Sequence, residues 1–439
     1  MNRRRLLSGA AALAATGLTG SMAACGPGQG PAASTPTGGK RTALRMLMHV
    51  AAPMNKAIEE LNTKFTKANP DIDVEVALVP TAQITNARNT RLAAKDVDIV
   101  EVSSFLGGDV PGYATKAAAN PWGTTIRAGN FVDLTDQPFV KRFYPNTLEY
   151  TATVDGKIWS VPTGSVFLTG VYYNKSIFAS HNLAVPTTWP EFVAVCETLR
   201  AAGLAPITIG GKDGWPADMP GNAMIHALNP DLKLLDEKLW TGAAKLTDRH
   251  LVEVLVRTKQ YYDFTEKNFM GIAYATAPAR FASGAVAMMV DGSYTAPTID
   301  QAKPAFEYGY FPLPGSDNAA DNTEFGGRPD ISFAVAAASP NVEAAQRWLD
   351  FYSMPDNYGP VVQATGFLPA QDGITTTPFA DTIAARAATM KMAWTSVFHP
   401  RQDAGKFAGF PFHGIAPRGA YTDMSALAAQ AQTDWDAAG

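Results

Sequence analysis

The feature that most constrains this chain is the alternation of segments between residues 42 and 102. Thr42-Ala-Leu-Arg-Met-Leu-Met-His49 reads as a buried strand. From Pro53 to Ala68, the residues Ala57, Ile58, Leu61 and Phe65 recur at helical spacing. Asn69-Pro70-Asp71 ends that helix in a turn. Asp73 to Leu78 alternates as a second strand, Ile84 to Ala94 reads as a second helix, and Val97 to Val102 as a third, buried strand. A β-α-β-α-β order specifies a parallel sheet covered by helices on both faces. Ligands of such sheets sit beyond the carboxyl ends of the strands. The loops after His49 and Val102 are therefore expected to wall a site.

A second α/β unit follows. Val161-Pro-Thr-Gly164 leads into a β-rich run ending at Val-Tyr-Tyr-Asn174. Thr188 suits a helix cap, Pro190 the first turn, and Glu191 the positive end of the helix dipole. That helix should end near Gly203, with a strand from Pro206 to Gly210. The C-terminal third reads as mainly helical, and no repeat of 20–50 residues is visible. About 400 residues lie beyond the leader, too many for one core, so two domains are expected.

The first 24 residues read as a secretory signal: Arg3, Arg4 and Arg5, then an Ala-rich apolar run too weak for a membrane span. Asn2-Arg-Arg-Arg-Leu-Leu7 resembles a twin-arginine export signal, with general secretion the alternative route. Met22-Ala-Ala-Cys25 resembles a lipoprotein box, in which the Cys25 thiol takes a lipid. Residues 25–40, mostly Gly, Pro, Ser and Thr, would then be a flexible tether. The expected location is the outer face of the cytoplasmic membrane. Of the two cysteines, Cys196 would remain unpaired; it lies at helical spacing and is expected to be an inert core residue. Losing the three arginines moves the formal charge from −4 to −7, which argues against nucleic acid as a partner.

Five segments carry a resemblance: Val161-Pro-Thr-Gly…Val171-Tyr-Tyr-Asn-Lys-Ser-Ile-Phe178; Val185-Pro-Thr-Thr-Trp-Pro-Glu-Phe192; Gly203-Leu-Ala-Pro-Ile-Thr-Ile-Gly-Gly-Lys-Asp-Gly-Trp-Pro216; Phe281-Ala-Ser-Gly-Ala-Val-Ala-Met-Met-Val-Asp-Gly-Ser-Tyr294; and Gly326-Gly…Ile331-Ser-Phe-Ala-Val…Ser339-Pro-Asn-Val-Glu-Ala-Ala345. In this order they resemble family 1 extracellular solute-binding proteins, the maltose-binding-like receptors of ABC sugar importers. The resemblance implies an α/β, two-lobed periplasmic-binding-protein fold (type II-like), with discontinuous lobes that close about a hinge. Residues 41–165 and 308–355 would form lobe 1, and 166–307 and 356–439 lobe 2. It further implies a carbohydrate held in the cleft, ABC permease subunits as partners, no cofactor and a monomer.

A sugar needs aromatic rings against its C–H faces and polar groups around its rim. Trp215, in a loop after a strand, and Tyr294, in Asp291-Gly292-Ser293-Tyr294, are the stacking candidates, with the three residues before Tyr294 offering polar and backbone contacts. On the other wall stand His49 and the loop residues Ser104, Phe105 and Asp109; Asp109 could equally cap a helix around Tyr113. Many relatives carry an acidic residue near the start of that loop, which this chain lacks. Gly327, Arg328 and Asp330 lie where relatives bring backbone amides to the ligand; Arg328 and Asp330 could clamp hydroxyls or pair structurally. Ser165 and Phe167 sit at the expected lobe crossing, and Trp394 is a weaker candidate.

Six dispersed histidines show no metal-site spacing, and no Gly-x-Ser-x-Gly or phosphate-cradling loop is present. A secreted glycosidase stays open through Glu324, Asp330 and Asp291. An amino acid, peptide or polyamine ligand is the main competitor, although such ligands require charged partners.

Overall fold

The computed structural model describes residues 41–102, 110–387, 389–409 and 411–438. Strand β1 (Thr42–His49) is followed by helix α1 (Ala52–Ala68), β2 (Ile72–Val79), α2 (Ile84–Ala94) and β3 (Ile99–Val102). β1 pairs in parallel with both β2 and β3. Its Met46 and Met48 enter the core on one face and Leu47 on the other, as a strand covered on both sides requires. α1 turns Met54, Ile58, Leu61 and Phe65 inward.

β4 (Val161–Phe167) ends beside the first sheet, and β5 (Gly170–Asn174) opens a second. Helix α3 (Trp189–Ala201) starts in a capping box: Thr188 accepts from the Glu191 amide and the Glu191 side chain returns the bond. Cys196 on this helix is fully buried, and burial pushes its thiol pKa up, so it stays protonated. β6 (Ala205–Thr208), β7 (Val286–Val290), β8 (Tyr308–Pro312), β9 (Gly326–Val335) and β10 (Lys391–Met392) follow. The second sheet has the order β8-β5-β7-β6. The first has the order β10-β9-β3-β1-β2, with β4 also on β9. It is mixed rather than wholly parallel, because β9 runs antiparallel to β3 and to β4.

The sequence expectation departs from the structure at several points. Residues 110–120 form turns, not a helix around Tyr113. The C-terminal third contains the ten-residue β9 and long irregular stretches. The expected boundary at 308 falls inside the second sheet, since Tyr308–Pro312 pairs with β5. The boundary at 356 is also displaced: the helix Pro355–Thr365 packs on α1, and Tyr358 donates to the Thr163 carbonyl at 2.6 Å.

Candidate functional site

The two sheets meet where β4 and β9 run side by side. Phe167 at the end of β4 donates its amide to Ser293 Oγ at 3.1 Å. Ser293 belongs to the turn that follows β7. Tyr172 on β5 fixes the same turn, donating to the carbonyls of Gly292 and Ser293 at 3.0 Å each. Tyr310 on β8 donates to the Asp291 carbonyl at 2.9 Å. The turn is therefore held from beneath, and Tyr294 is left half-buried above it.

Asp291 lies under Tyr294 and is 2% exposed. Its carboxyl accepts from the Gly292 amide at 2.8 Å and is bonded by the Thr295 and Tyr294 side chains. Burial outweighs these bonds and raises its pKa to about 7. Tyr274 stands within 3.4 Å of the Thr295 hydroxyl and packs on Trp215, with ring centroids 4.6 Å apart at 56°. Trp215 is 37% exposed, in a chain whose other tryptophans are largely buried. Trp215, Tyr274 and Tyr294 thus form one aromatic wall.

The opposite wall comes from the first sheet. His49 ends β1, and its Nδ1 lies 2.6 Å from Glu101 Oε1 on β3; its amide donates to Oε2 at 3.1 Å. Burial works against the imidazolium. The Glu101 hydrogen bond, the Glu101 charge and the Asp330 charge outweigh it and raise the His49 pKa. Arg328 and Asp330 on β9 pair at 3.2 Å, both mostly buried. Their charges also reach the Tyr294 hydroxyl. Asp330 is therefore within electrostatic reach of both His49 and Tyr294.

Several expected contacts are engaged elsewhere. Phe167 is fully buried, stacked on Phe325 at 4.4 Å and 13°. The Ser293 hydroxyl serves the Phe167 amide, the Gly292 amide donates to the Asp291 carboxyl, and the Gly292 carbonyl accepts from Tyr172 on β5. Gly327 is closed in: a Cβ there would stand 2.3 Å from the Val166 carbonyl oxygen, and its own carbonyl accepts from Ala393 at 2.8 Å. Trp394 is 2% exposed, stacks on Phe398 and donates to the Gly409 carbonyl. These five positions shape the framework rather than face the cleft. Ser165 is partly exposed and bonded through its backbone to Leu368. Ser104, Phe105, Asp109 and Cys25 lie outside the described residues.

Glu101, Arg88 and Tyr274 were missed by sequence reasoning. Glu101 had a signal: it is an acid inside the buried strand Ile99-Val-Glu-Val102. Arg88 had one too, a cation on the inner stripe Ile84–Leu92. Nothing in Gly-Ile-Ala-Tyr274 marks the tyrosine. Among the described residues no group of three His, Cys, Asp or Glu could hold a metal, and no helix is long and apolar enough to cross a membrane.

The "Multiple sugar-binding protein" of Streptococcus mutans is 27% identical over 310 residues, covering 68% of each chain. RafE in complex with raffinose superposes with a TM-score of 0.73 at 23% identity, covering 90% of this chain and 99% of that one. A chitin oligosaccharide binding protein gives 0.73 at 22% identity, covering 91% and 99%. The two structural likenesses show that the fold is the two-lobed one of solute-binding proteins. The profile of the bacterial extracellular solute-binding proteins matches residues 51–359, and the chain belongs to that family.

Proposed function

We propose that the protein is the carbohydrate-capturing component of an ABC importer, holding a mono- or oligosaccharide between the Trp215–Tyr274–Tyr294 wall and the His49–Glu101 wall. The observation that carries this reading is the partly exposed aromatic wall set opposite hydrogen-bonding groups that are already mutually paired. A sugar ring needs that division: a flat apolar surface for its C–H face and fixed polar groups for its hydroxyls. Trp215, Tyr294, His49, Arg328, Asp330 and Ser165 are the proposed contacts, with Ser104, Phe105 and Asp109 from the adjoining loop. Asp291 supports Tyr294 from below. Sugar-binding relatives with the same fold support the reading.

In this reading lobe 1 holds the first sheet and lobe 2 the second, with the chain crossing after Phe167, after Pro312 and near Lys391. The loaded protein passes its sugar to membrane permease subunits and acts as a monomer. It is exported, by the twin-arginine or the general route, and held at the membrane through lipid on Cys25. In this reading it captures its sugar without acting on it; the carboxylates Asp330 and Asp291 are engaged, Asp330 with Arg328 and Asp291 enclosed beneath Tyr294.

A ligand that binds only the folded state stabilises it by about 2.7 kcal/mol at a hundredfold excess over Kd. Thermal unfolding against a panel of sugars, amino acids and polyamines should show the largest upward shift with a sugar, and prolonged incubation should return that sugar intact. A shift confined to an amino acid or polyamine would refute the carbohydrate reading, and product formation would refute the non-catalytic one.

A further inference from the structure

The buried residues of α2 are Ile84, Arg88 and Leu92, spaced one turn apart. Ile84 and Leu92 join the apolar cluster that also contains Leu47, Val100 and Val102. Arg88 stands between them, 4% exposed. Among the described residues no hydrogen bond or ion pair engages its guanidinium, and its Nε is fully enclosed without an acceptor. Burial pushes the Arg88 pKa down, and the Glu101 charge acts against that shift. A buried cation is normally paired and hydrogen-bonded, since solvation lost on burial must be replaced.

The place of Arg88 in the fold indicates what the partner is. α2 follows the carboxyl end of β2, so its first turns lie at the end of the sheet where His49 and Glu101 stand. Three basic side chains gather there and along β9: Arg88, His49 and Arg328. Two carboxylates answer them. Glu101 is hydrogen-bonded to His49, and Asp330 is paired with Arg328. Asp291, buried behind Tyr294, keeps its proton up to about pH 7. Among the described residues, Arg88 is the member of this group whose guanidinium has no hydrogen-bonded partner.

We propose that Arg88 is the anion-receiving point of the cleft, and that the captured glycan bears a carboxylate there, as a uronic acid unit does. The inference rests on the carbohydrate reading above. A guanidinium presents a planar fork of donors that matches both oxygens of a carboxylate. A neutral hydroxyl would use the donors and leave the charge unanswered. A phosphate dianion would bring more charge than one cation balances.

The test is titration calorimetry of the full protein with oligogalacturonides and glucuronic-acid-substituted xylo-oligosaccharides. Each is compared with its own methyl ester and with the unsubstituted neutral oligosaccharide. The expected result is at least tenfold tighter binding of one acidic glycan than of its ester, with that preference lost in Arg88→Gln and only partly retained in Arg88→Lys, which keeps the charge but not the fork. Equal affinity for acid and ester, binding of neutral glycans only, or equal weakening of both by Arg88→Gln would overturn the proposal while leaving carbohydrate capture standing. Failure of every glycan, acidic and neutral, would refute the carbohydrate reading itself. Should Arg88→Gln not fold, the wild-type comparison of acid with ester decides by itself.

Discussion

Asp291 is a carboxyl kept below an aromatic ring, and its environment makes a testable statement about stability. Its pKa rises from 3.8 to about 7 on folding because burial disfavours the charged form. The unfolded chain therefore releases the proton first. Stability is full below about pH 4, falls as the pH rises towards 7, and is then lower by about 4 kcal/mol. Asparagine keeps an acceptor for the Gly292 amide and cannot ionise. Asp291→Asn should gain stability relative to wild type as the pH is raised from 4 to 8 in denaturant titrations. Parallel curves across that range would show that Asp291 is not held protonated. At this scale the sequence was informative where a residue stood out from its surroundings. Trp215 lies in a Gly-rich loop, and Tyr294 closes a strand-to-turn segment. Phe167 and Trp394 looked equally available, because nothing local distinguishes an aromatic that meets Phe325 or Phe398 in the core from one left at the surface.

At the scale of elements, the two strands that join the sheets are bent at the same level. Gly164 on β4 pairs with Asp330 on β9, and the next residue, Ile331, has a φ of 50°. A β-branched residue in the left-handed region is strained and persists only where its surroundings impose it. Gly164 is the complementary feature: a Cβ there would lie 2.4 Å from the Leu368 carbonyl oxygen. Gly164→Ala should therefore cost about 1–3 kcal/mol in chemical denaturation, since the clash is with backbone and not with a flexible side chain. An unchanged midpoint would mean that the strand crossing is looser than its geometry indicates. Elements with a strong period were legible within a few residues, as with Ile84–Ala94 and the capped helix that opens at Thr188. The segment around Tyr113 was not, because its conformation is set from far away: Ala118 donates to the Pro400 carbonyl, and Tyr113 donates to Asp236. β9 was also under-read, since its length depends on pairing with β3, β4 and β10 rather than on its own pattern.

For the whole molecule, the α/β class and the need for two domains followed from chain length and the order of segments. The domain limits did not. Pro355–Thr365 stays packed with the first sheet beyond the expected limit, and Lys391–Met392 pairs with that sheet again, and both are fixed by packing and ladder hydrogen bonds. The central claim concerns what lies between the sheets, and the most direct test is a crystal structure of the protein saturated with the glycan that raises its melting temperature. The expected result is a sugar ring lying on the Trp215–Tyr294 wall, with its hydroxyls or carboxylate reaching His49, Arg88, Arg328 or Asp330. A glycan bound away from both walls, or a cleft closed on a different solute with Trp215 and Tyr294 untouched, would contradict the account.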